Sequence, residues 1–348
     1  MKLKMSILSL SLLAACSAQA EQIKMNGYFN GVYSHTDEGS KVLNTEKGGS
    51  FTEDSNIGVK ATFIKNNNVS GTAQISLEKD DDGEYDVLID EGYLRYTLNE
   101  KRFVEVGKFI TPLHIDSNMH NYQQFKPWLI NPKSVYTATS PLSTTGISIS
   151  QKNKSYIYEI TSEMFFGQST SKTFNTSLSP NTEVKYSSLW GGASKFVGKS
   201  HTINVSFAQA KAELQNNEST LSQIEENKKS NYLLYSVSAM YSLAKNTIIK
   251  AELKSETFDD LLPDNKSYYV NLSQYWDKYE ASITYGSSKS DEDKIITEIK
   301  AGVGYNMTPR IKLYGEYTNY DMPTFTAAEE LNESEKLNQI SIGLLMTF

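Results

Sequence analysis

Four histidines, at positions 35, 114, 120 and 201, are the only imidazole bases in this chain of 348 residues. Acid–base or covalent catalysis needs a nucleophile, a base and an orienting group within hydrogen-bond reach. No nucleophile stands beside any of the four, so no enzymatic activity is expected. His35 and His201 fall at opposite strand ends, whereas His114 and His120 share one long connection with Asp116, Lys126 and Lys133. Two imidazoles there could be a metal pair, but polar lining is the simpler reading, and no metal or cofactor is expected.

A second chemistry is carried by charges that recur at every other position. In IIKAELKSE, Lys250, Glu252, Lys254 and Glu256 alternate with Ile249, Ala251 and Leu253, and in TEIKAGVGY, Glu298 and Lys300 alternate with Ile299, Ala301 and Val303. Period two puts all of these charges on one face of a strand and all of the apolar groups on the other. On the charged register lie Lys24, Lys60, Arg95, Lys250, Lys254, Lys300 and Lys312 against Glu78, Glu91, Glu252, Glu256, Glu280, Glu298 and Glu316. Such a set catalyses nothing. What it can do is impose an electric field on ions and solutes that pass it.

The elements that must hold these charges are strands. About sixteen alternating segments are predicted, over 23–34, 55–64, 69–79, 87–98, 102–109, 143–152, 155–165, 184–196, 200–211, 231–242, 247–257, 267–276, 278–286, 295–305, 310–320 and 338–348, each close to the roughly 9–11 residues of a tilted membrane strand. The connections alternate short and long: Lys65–Asn68, Asn99–Lys101 and Asn153–Lys154 are short, while 35–54, 110–142, 212–230 and 321–337 are long. Short turns on one rim and long loops on the other predict an all-β, antiparallel, up-and-down transmembrane barrel, with the short turns facing the periplasm. Tyr268, Trp276, Tyr279, Tyr285, Tyr305 and Tyr317 near strand ends fit the aromatic girdle of such a barrel. A soluble β-sandwich would also alternate, but it gives no reason for one-sided loop lengths.

The first twenty residues point to export. Lys2 and Lys4 precede an apolar run from Ile7 to Ala15, and Ala18-Gln19-Ala20 makes a small-x-small cleavage site, so residues 1–20 read as a signal peptide and 21–348 as the barrel. Leu13-Ala14-Ala15-Cys16 is an alternative lipobox, with acylation of Cys16. Cleavage after Ala20 leaves no cysteine, and with it no disulfide. It removes two of the 34 basic residues and none of the 41 acidic ones, which takes the net charge from −7 to about −9 and disfavours nucleic acid as a partner.

The strand count, the export signal, the terminal Phe348 and the segment DEGYLRYTLNEKRFVEVGKFITPL (residues 90–113) together resemble the bacterial outer-membrane porins, with Gly107-Lys108 standing where many porins have Gly-Arg. The resemblance implies a water-filled outer-membrane channel of a Gram-negative cell for passive diffusion of ions and small hydrophilic solutes, assembled as a homotrimer. It implies a seat in outer-membrane lipid and reading of Phe348 by the barrel-assembly machinery. The carboxylates crowded in the outer loops EKDDDGEYD (78–86), TFDDLLPD (257–264), SDEDK (290–294) and EELNESE (329–335) either keep those loops solvated or form an acidic vestibule that concentrates cations or bridges lipopolysaccharide through divalent ions. The resemblance also implies that the third long loop, residues 110–142, folds inward as the constriction. Candidate lining residues are then Arg95, Lys108, His114, Asp116, His120, Lys126, Lys133, Lys60, Lys24, Glu91, Lys312 and Glu316, with Phe348 closing the barrel. The acidic tip of the third loop that general porins carry is missing, since Asp116 is its one carboxylate, so a neutral or mildly basic constriction is expected. Two other readings stay open: a channel specific for a sugar, phosphate or organic anion, and an adhesin or phage receptor on a barrel platform. Tyr122, Phe125, Trp128 and Tyr136 either stack on a solute or pack the loop.

Overall fold

The computed structural model describes residues 22–39, 47–51, 55–79, 85–119, 122–136, 140–172, 182–216, 229–259, 261–290, 294–323 and 334–348. The signal segment with Cys16, His120 and much of the acidic loop sequence lie outside the described residues. The first strands are β1 (Gln22–Thr36), β2 (Gly48–Phe51), β3 (Asn56–Ile64), β4 (Val69–Lys79), β5 (Tyr85–Asn99) and β6 (Arg102–Ile110). After the third loop come β7 (Ser143–Lys154), β8 (Glu159–Lys172), β9 (Thr182–Val197), β10 (His201–Asn216), β11 (Lys229–Ala244) and β12 (Thr247–Phe258). The chain ends with β13 (Asn265–Trp276), β14 (Tyr279–Ser290), β15 (Lys294–Thr308), β16 (Ile311–Pro323) and β17 (Ser334–Thr347).

Every pairing is antiparallel; from β3 onward each strand pairs with the next in sequence, and β1 closes the sheet on β17, with Tyr28 opposite Thr347 and Thr36 opposite Gln339. β2 and β3 pair successive stretches of β1, so they form one interrupted stave, and the barrel has sixteen. At the interruption the Ser55 hydroxyl accepts from the Val32 N–H (3.0 Å) and donates to the Val32 carbonyl (2.9 Å), which replaces the missing ladder bonds. Closure continues past the last strand: Gly27 N–H donates to the Phe348 carbonyl (2.8 Å) and Phe348 N–H to the Gly27 carbonyl (3.0 Å). In hydrocarbon an open edge would leave several such groups unsatisfied, each costing several kcal/mol.

The barrel is inside out relative to a soluble fold. In β12, Lys254 is 3% and Glu256 1% exposed, whereas Leu253, next to Lys254, is 60% exposed. A soluble sandwich would turn the charges to solvent and bury the leucine. The same inversion runs round the wall, where Ile283, Val303, Ile340 and Ile342 are exposed while Thr284, Gln339 and Ser341 are buried. Trp276, Tyr279, Tyr285 and Tyr317 stand on the exposed face. No helix among the described residues is long and apolar enough to span a bilayer, and a barrel crosses with strands.

One predicted turn shifts. The short connection expected at Asn153–Lys154 lies at 155–158, where Ser155 N–H donates to the Tyr158 carbonyl (2.8 Å), and β8 runs from Glu159 to Lys172 rather than over 155–165. The expected connection 35–54 likewise contains the end of β1 and all of β2.

Gly107 explains the Gly-Lys pair at the end of the 90–113 segment. Its φ of +136° is a region that side chains rarely adopt, and a Cβ there would stand 2.7 Å from the Tyr93 Cα on β5. The close approach lets β6 lie flat on β5, and Lys108 donates to the Ile89 carbonyl (2.6 Å).

Candidate functional site

Thr111 N–H donates to the Leu142 carbonyl (2.9 Å) and closes the neck of the third loop. Between them the described residues form no ladder, only tight turns and the short helix α1 (Lys133–Tyr136). Buried backbone groups still need partners. Wall side chains supply them. Glu316 accepts from the N–H groups of Leu129 (2.9 Å) and Ile130 (3.4 Å). Glu298 accepts from the N–H of Ser134 (2.8 Å), its hydroxyl (2.7 Å) and the N–H of Lys133 (3.2 Å). Carbonyls are met in the same way: Lys312 donates to that of Lys126 (2.9 Å), Lys254 to that of Val135 (2.7 Å), Tyr314 to that of Pro127 (2.8 Å) and Ser206 to that of Leu113 (2.7 Å). Gln124 donates to the carbonyl of Pro309 in the turn between β15 and β16 (2.8 Å), so the loop reaches the short-turn rim inside the barrel.

The wall charges that hold the loop also pair among themselves beneath it. Lys312 binds Glu280 (2.6 Å), Lys254 binds Glu256 (3.0 Å), and Lys300 lies between Glu316 (3.4 Å) and Glu298 (3.6 Å). Asp116 pairs with Lys250, and His114 Nδ1 with Glu252. Burial pushes the Asp116 carboxyl up, but Lys250, then Lys126, outweigh it and hold the group below its ordinary value. The Tyr136 hydroxyl goes the other way: burial and the nearby Glu252 carboxylate push it well up.

The loop candidates Asp116, Lys126 and Lys133 and the β16 candidates Lys312 and Glu316 therefore lie in the packed part of the lumen. Lys126 is buried with its Nζ on Asn131 Oδ1 (2.9 Å), and Trp128 packs edge-on against Tyr269 with ring centroids 5.3 Å apart. Tyr122 stacks near Phe125 and meets Tyr28 edge-on, which is packing of the loop on itself and on β1. Lys133, Lys312 and Glu316 sit at the loop anchors just described, and Lys24 is exposed near the start of β1.

Across the barrel, part of the wall from β3 to β10 is left open beside the loop root. A cavity of about 400 Å³ opens there, lined by Lys60, Glu91, Arg95 and His114 from the candidate set and by Glu105, Lys152, Glu163, Lys195 and Asn204, which the sequence pattern did not single out. Lys60 pairs with Glu91 (2.7 Å), and Arg95 Nε donates to Glu105 (2.8 Å) with its guanidinium carbon 4.3 Å from the Phe103 ring centre. Four cationic side chains, Lys60, Arg95, Lys152 and Lys195, thus face three carboxylates, Glu91, Glu105 and Glu163, with His114 at the loop edge. Their signal in the sequence was inward register alone, and Glu163, Lys152 and Lys195 sit in strands whose remaining inward residues are mostly small or uncharged.

The sequence model of the family described as Gram-negative porin matches residues 7–323. Three solved structures are similar in fold. Outer-membrane expressed OmpT of Vibrio cholerae has a TM-score of 0.61 at 13% identity, with 94% of this chain and 97% of that chain covered. The anion-selective porin of Comamonas acidovorans has a TM-score of 0.64 at 14% identity, covering 94% and 99%. Salmonella typhi OmpF, in complex with daunomycin, has a TM-score of 0.64 at 12% identity, covering 95% and 99%. No curated protein sequence matches.

Proposed function

Because the chain belongs to the Gram-negative porin family, and so forms an outer-membrane channel, we propose that ions and small hydrophilic solutes cross it by passive diffusion along the open wall of β3 to β10. The observation that carries this reading is the division of the lumen. The third loop is fastened to β12–β16 at Glu298 and Glu316, which leaves the charged cavity opposite as the route. In our reading the constriction is made by loop residues 110–142, but the field across it is set by the wall. Loop carboxylate Asp116 is neutralised by Lys250 and Lys126 is turned into the loop. With four cations against three carboxylates, the route favours anions weakly despite the acidic chain. The structurally similar porin of Comamonas acidovorans is described as anion-selective, which suits this balance.

The deciding measurement is the reversal potential of purified protein in a planar bilayer under a salt gradient. A weak anion preference is expected; a cation preference would show that the acidic outer loops, not the cavity, set selectivity. We read residues 1–20 as a removed signal peptide, the assembled form as a homotrimer, and the outer surface as seated in lipid and lipopolysaccharide. We assign Phe348 to recognition by the assembly machinery, and its deletion is expected to lower the yield of heat-resistant barrel.

A further inference from the structure

Two residues that line the open cavity, His114 and Asn204, each carry a buried polar atom with no hydrogen-bond partner among the described residues, Nε2 and Nδ2; the residues are 5% and 3% exposed. Buried polar atoms are almost always partnered, so two orphans on one cavity mark a place where something polar belongs. They are close in the fold. Asn204 on β10 is the cross-strand partner of Lys195 on β9, and Lys195 Nζ donates to the carbonyl of Ile115, the residue after His114 (3.4 Å). His114, Asn204 and Lys195 therefore meet where the root of the third loop lies against β9 and β10.

The His114 ring is held rather than loose. Its Nδ1 pairs with Glu252, the Ser117 hydroxyl accepts from its backbone N–H (2.9 Å), and the Tyr136 ring lies 5.0 Å away. A carboxylate accepts and does not donate, so the imidazole carries a proton on Nδ1, and in the neutral ring Nε2 is an acceptor. Lys195 and Asn204 Nδ2 present donors. One acceptor beside two donors, one of them cationic, suits a solute that has both a negatively charged oxygen group and an O–H. Two nearby carboxylates already have cationic partners, Asp116 in Lys250 and Glu105 in Arg95.

We propose that His114, Lys195 and Asn204 form a binding subsite for a small oxyanion that also carries a hydroxyl, either a hydroxycarboxylate or hydrogen phosphate. Lys195 and Asn204 donate to the charged oxygens, and His114 Nε2 accepts from the O–H. The inference rests on the channel reading above and gives it a solute class. A solute held there occupies the route and interrupts the flow of smaller ions.

The test is the chloride current through single channels at constant ionic strength, titrated with two matched pairs, lactate against propionate and hydrogen phosphate against sulfate. Each pair differs in the O–H. Saturable block by lactate, by hydrogen phosphate or by both is expected, with the hydroxyl-free partner about tenfold weaker, the value of one well-made hydrogen bond. The pair that shows the difference identifies the natural class. Asn204→Ala changes no charge, so it separates a contact from a general field effect, and it should raise the half-blocking concentration about tenfold. Equal block within both pairs, or block unchanged by Asn204→Ala, overturns the subsite, as does an ohmic channel that none of the four solutes blocks. Failure to conduct at all would instead overturn the channel reading. The solute pairs are measured on the unaltered protein, so the proposal stays decidable even where the variant assembles poorly.

Discussion

The two halves of the lumen wall carry the same residue types in the same inward register, yet they do different work. On β12, β14, β15 and β16, Lys250, Glu252, Lys254, Glu280, Glu298, Lys300, Lys312 and Glu316 are buried under the third loop, and Lys254, Glu298, Lys312 and Glu316 tie its backbone to the barrel. On β3 and β5 to β9, Lys60, Glu91, Arg95, Glu105, Lys152, Glu163 and Lys195 border an open cavity. The difference lies in what covers them. Lys254 and Lys312 under the loop each meet a carbonyl and a carboxylate at fixed positions, and their charge is cancelled within a few ångströms. On the open wall Lys60 is paired with Glu91, but Lys152 and Lys195 form no ion pair among the described residues and keep their field in the path of a passing ion. Counting wall charges therefore misjudges a channel of this kind unless the position of the loop is known.

The largest expected effect comes from breaking an anchor. Glu316→Ala strips two loop amides of their acceptor and takes one of two carboxylates from the buried Lys300. Removing one partner of a buried pair typically costs about 3–5 kcal/mol. The folded barrel should lose heat resistance, and single-channel traces should become noisy as the loop detaches. The matching change on the open wall, Glu105→Ala, leaves Arg95, which is partly exposed, to be solvated, and should cost about 1 kcal/mol or less. Equal losses from the two variants would dissolve the distinction between anchor and lining.

How much of this was legible in the sequence divides along the same line. The fold was readable because a barrel wall is set by local alternation: IIKAELKSE shows which residues of β12 face inward without any knowledge of its neighbours. Even the miss at the turn after β7 has a local cause. In KSYIYEI the alternation of Tyr156, Tyr158 and Ile160 runs straight through the chain reversal at 155–158, so periodicity cannot mark it. The site was readable only in part. Lys60, Glu91, Arg95 and His114 border the cavity, but Lys126, Lys312 and Glu316 serve the loop's packing. Whether an inward Glu meets water or an amide depends on a contact such as that between Leu129 and Glu316, 187 residues apart. No local pattern records that contact.

A pair of identical substitutions sharpens the comparison with a smaller effect. Lys152→Met removes a cation from the open cavity and should lower the anion-to-cation permeability ratio by about twofold, because the field of a few wall charges governs entry. Lys254→Met removes the same charge from beneath the loop, where Glu256 lies 3.0 Å away, and should leave the ratio unchanged while weakening the barrel to heat. Reversal potentials in the same salt gradient decide between them. A selectivity change from Lys254→Met as large as that from Lys152→Met would mean that the covered charges still act on the route.

The smallest effect under working conditions belongs to Asp116, and it emerges only in acid. Burial raises this carboxyl, but Lys250 and Lys126 more than compensate, so its folded value lies below the ordinary 3.8. A group depressed on folding contributes stability above its unfolded value and loses it as the pH falls through the folded one. The pair with Lys250 should therefore hold the loop unchanged through neutral pH and release it only below about pH 4. Cleavage of the loop by an acid-active protease should rise steeply in that range for the parent protein. Asp116→Asn should remove this rise, since its loop lacks the anchoring charge at every pH. Release of the parent loop near neutrality would contradict the depressed carboxyl, and with it the assignment of Asp116 to the anchored half of the lumen rather than to the open route.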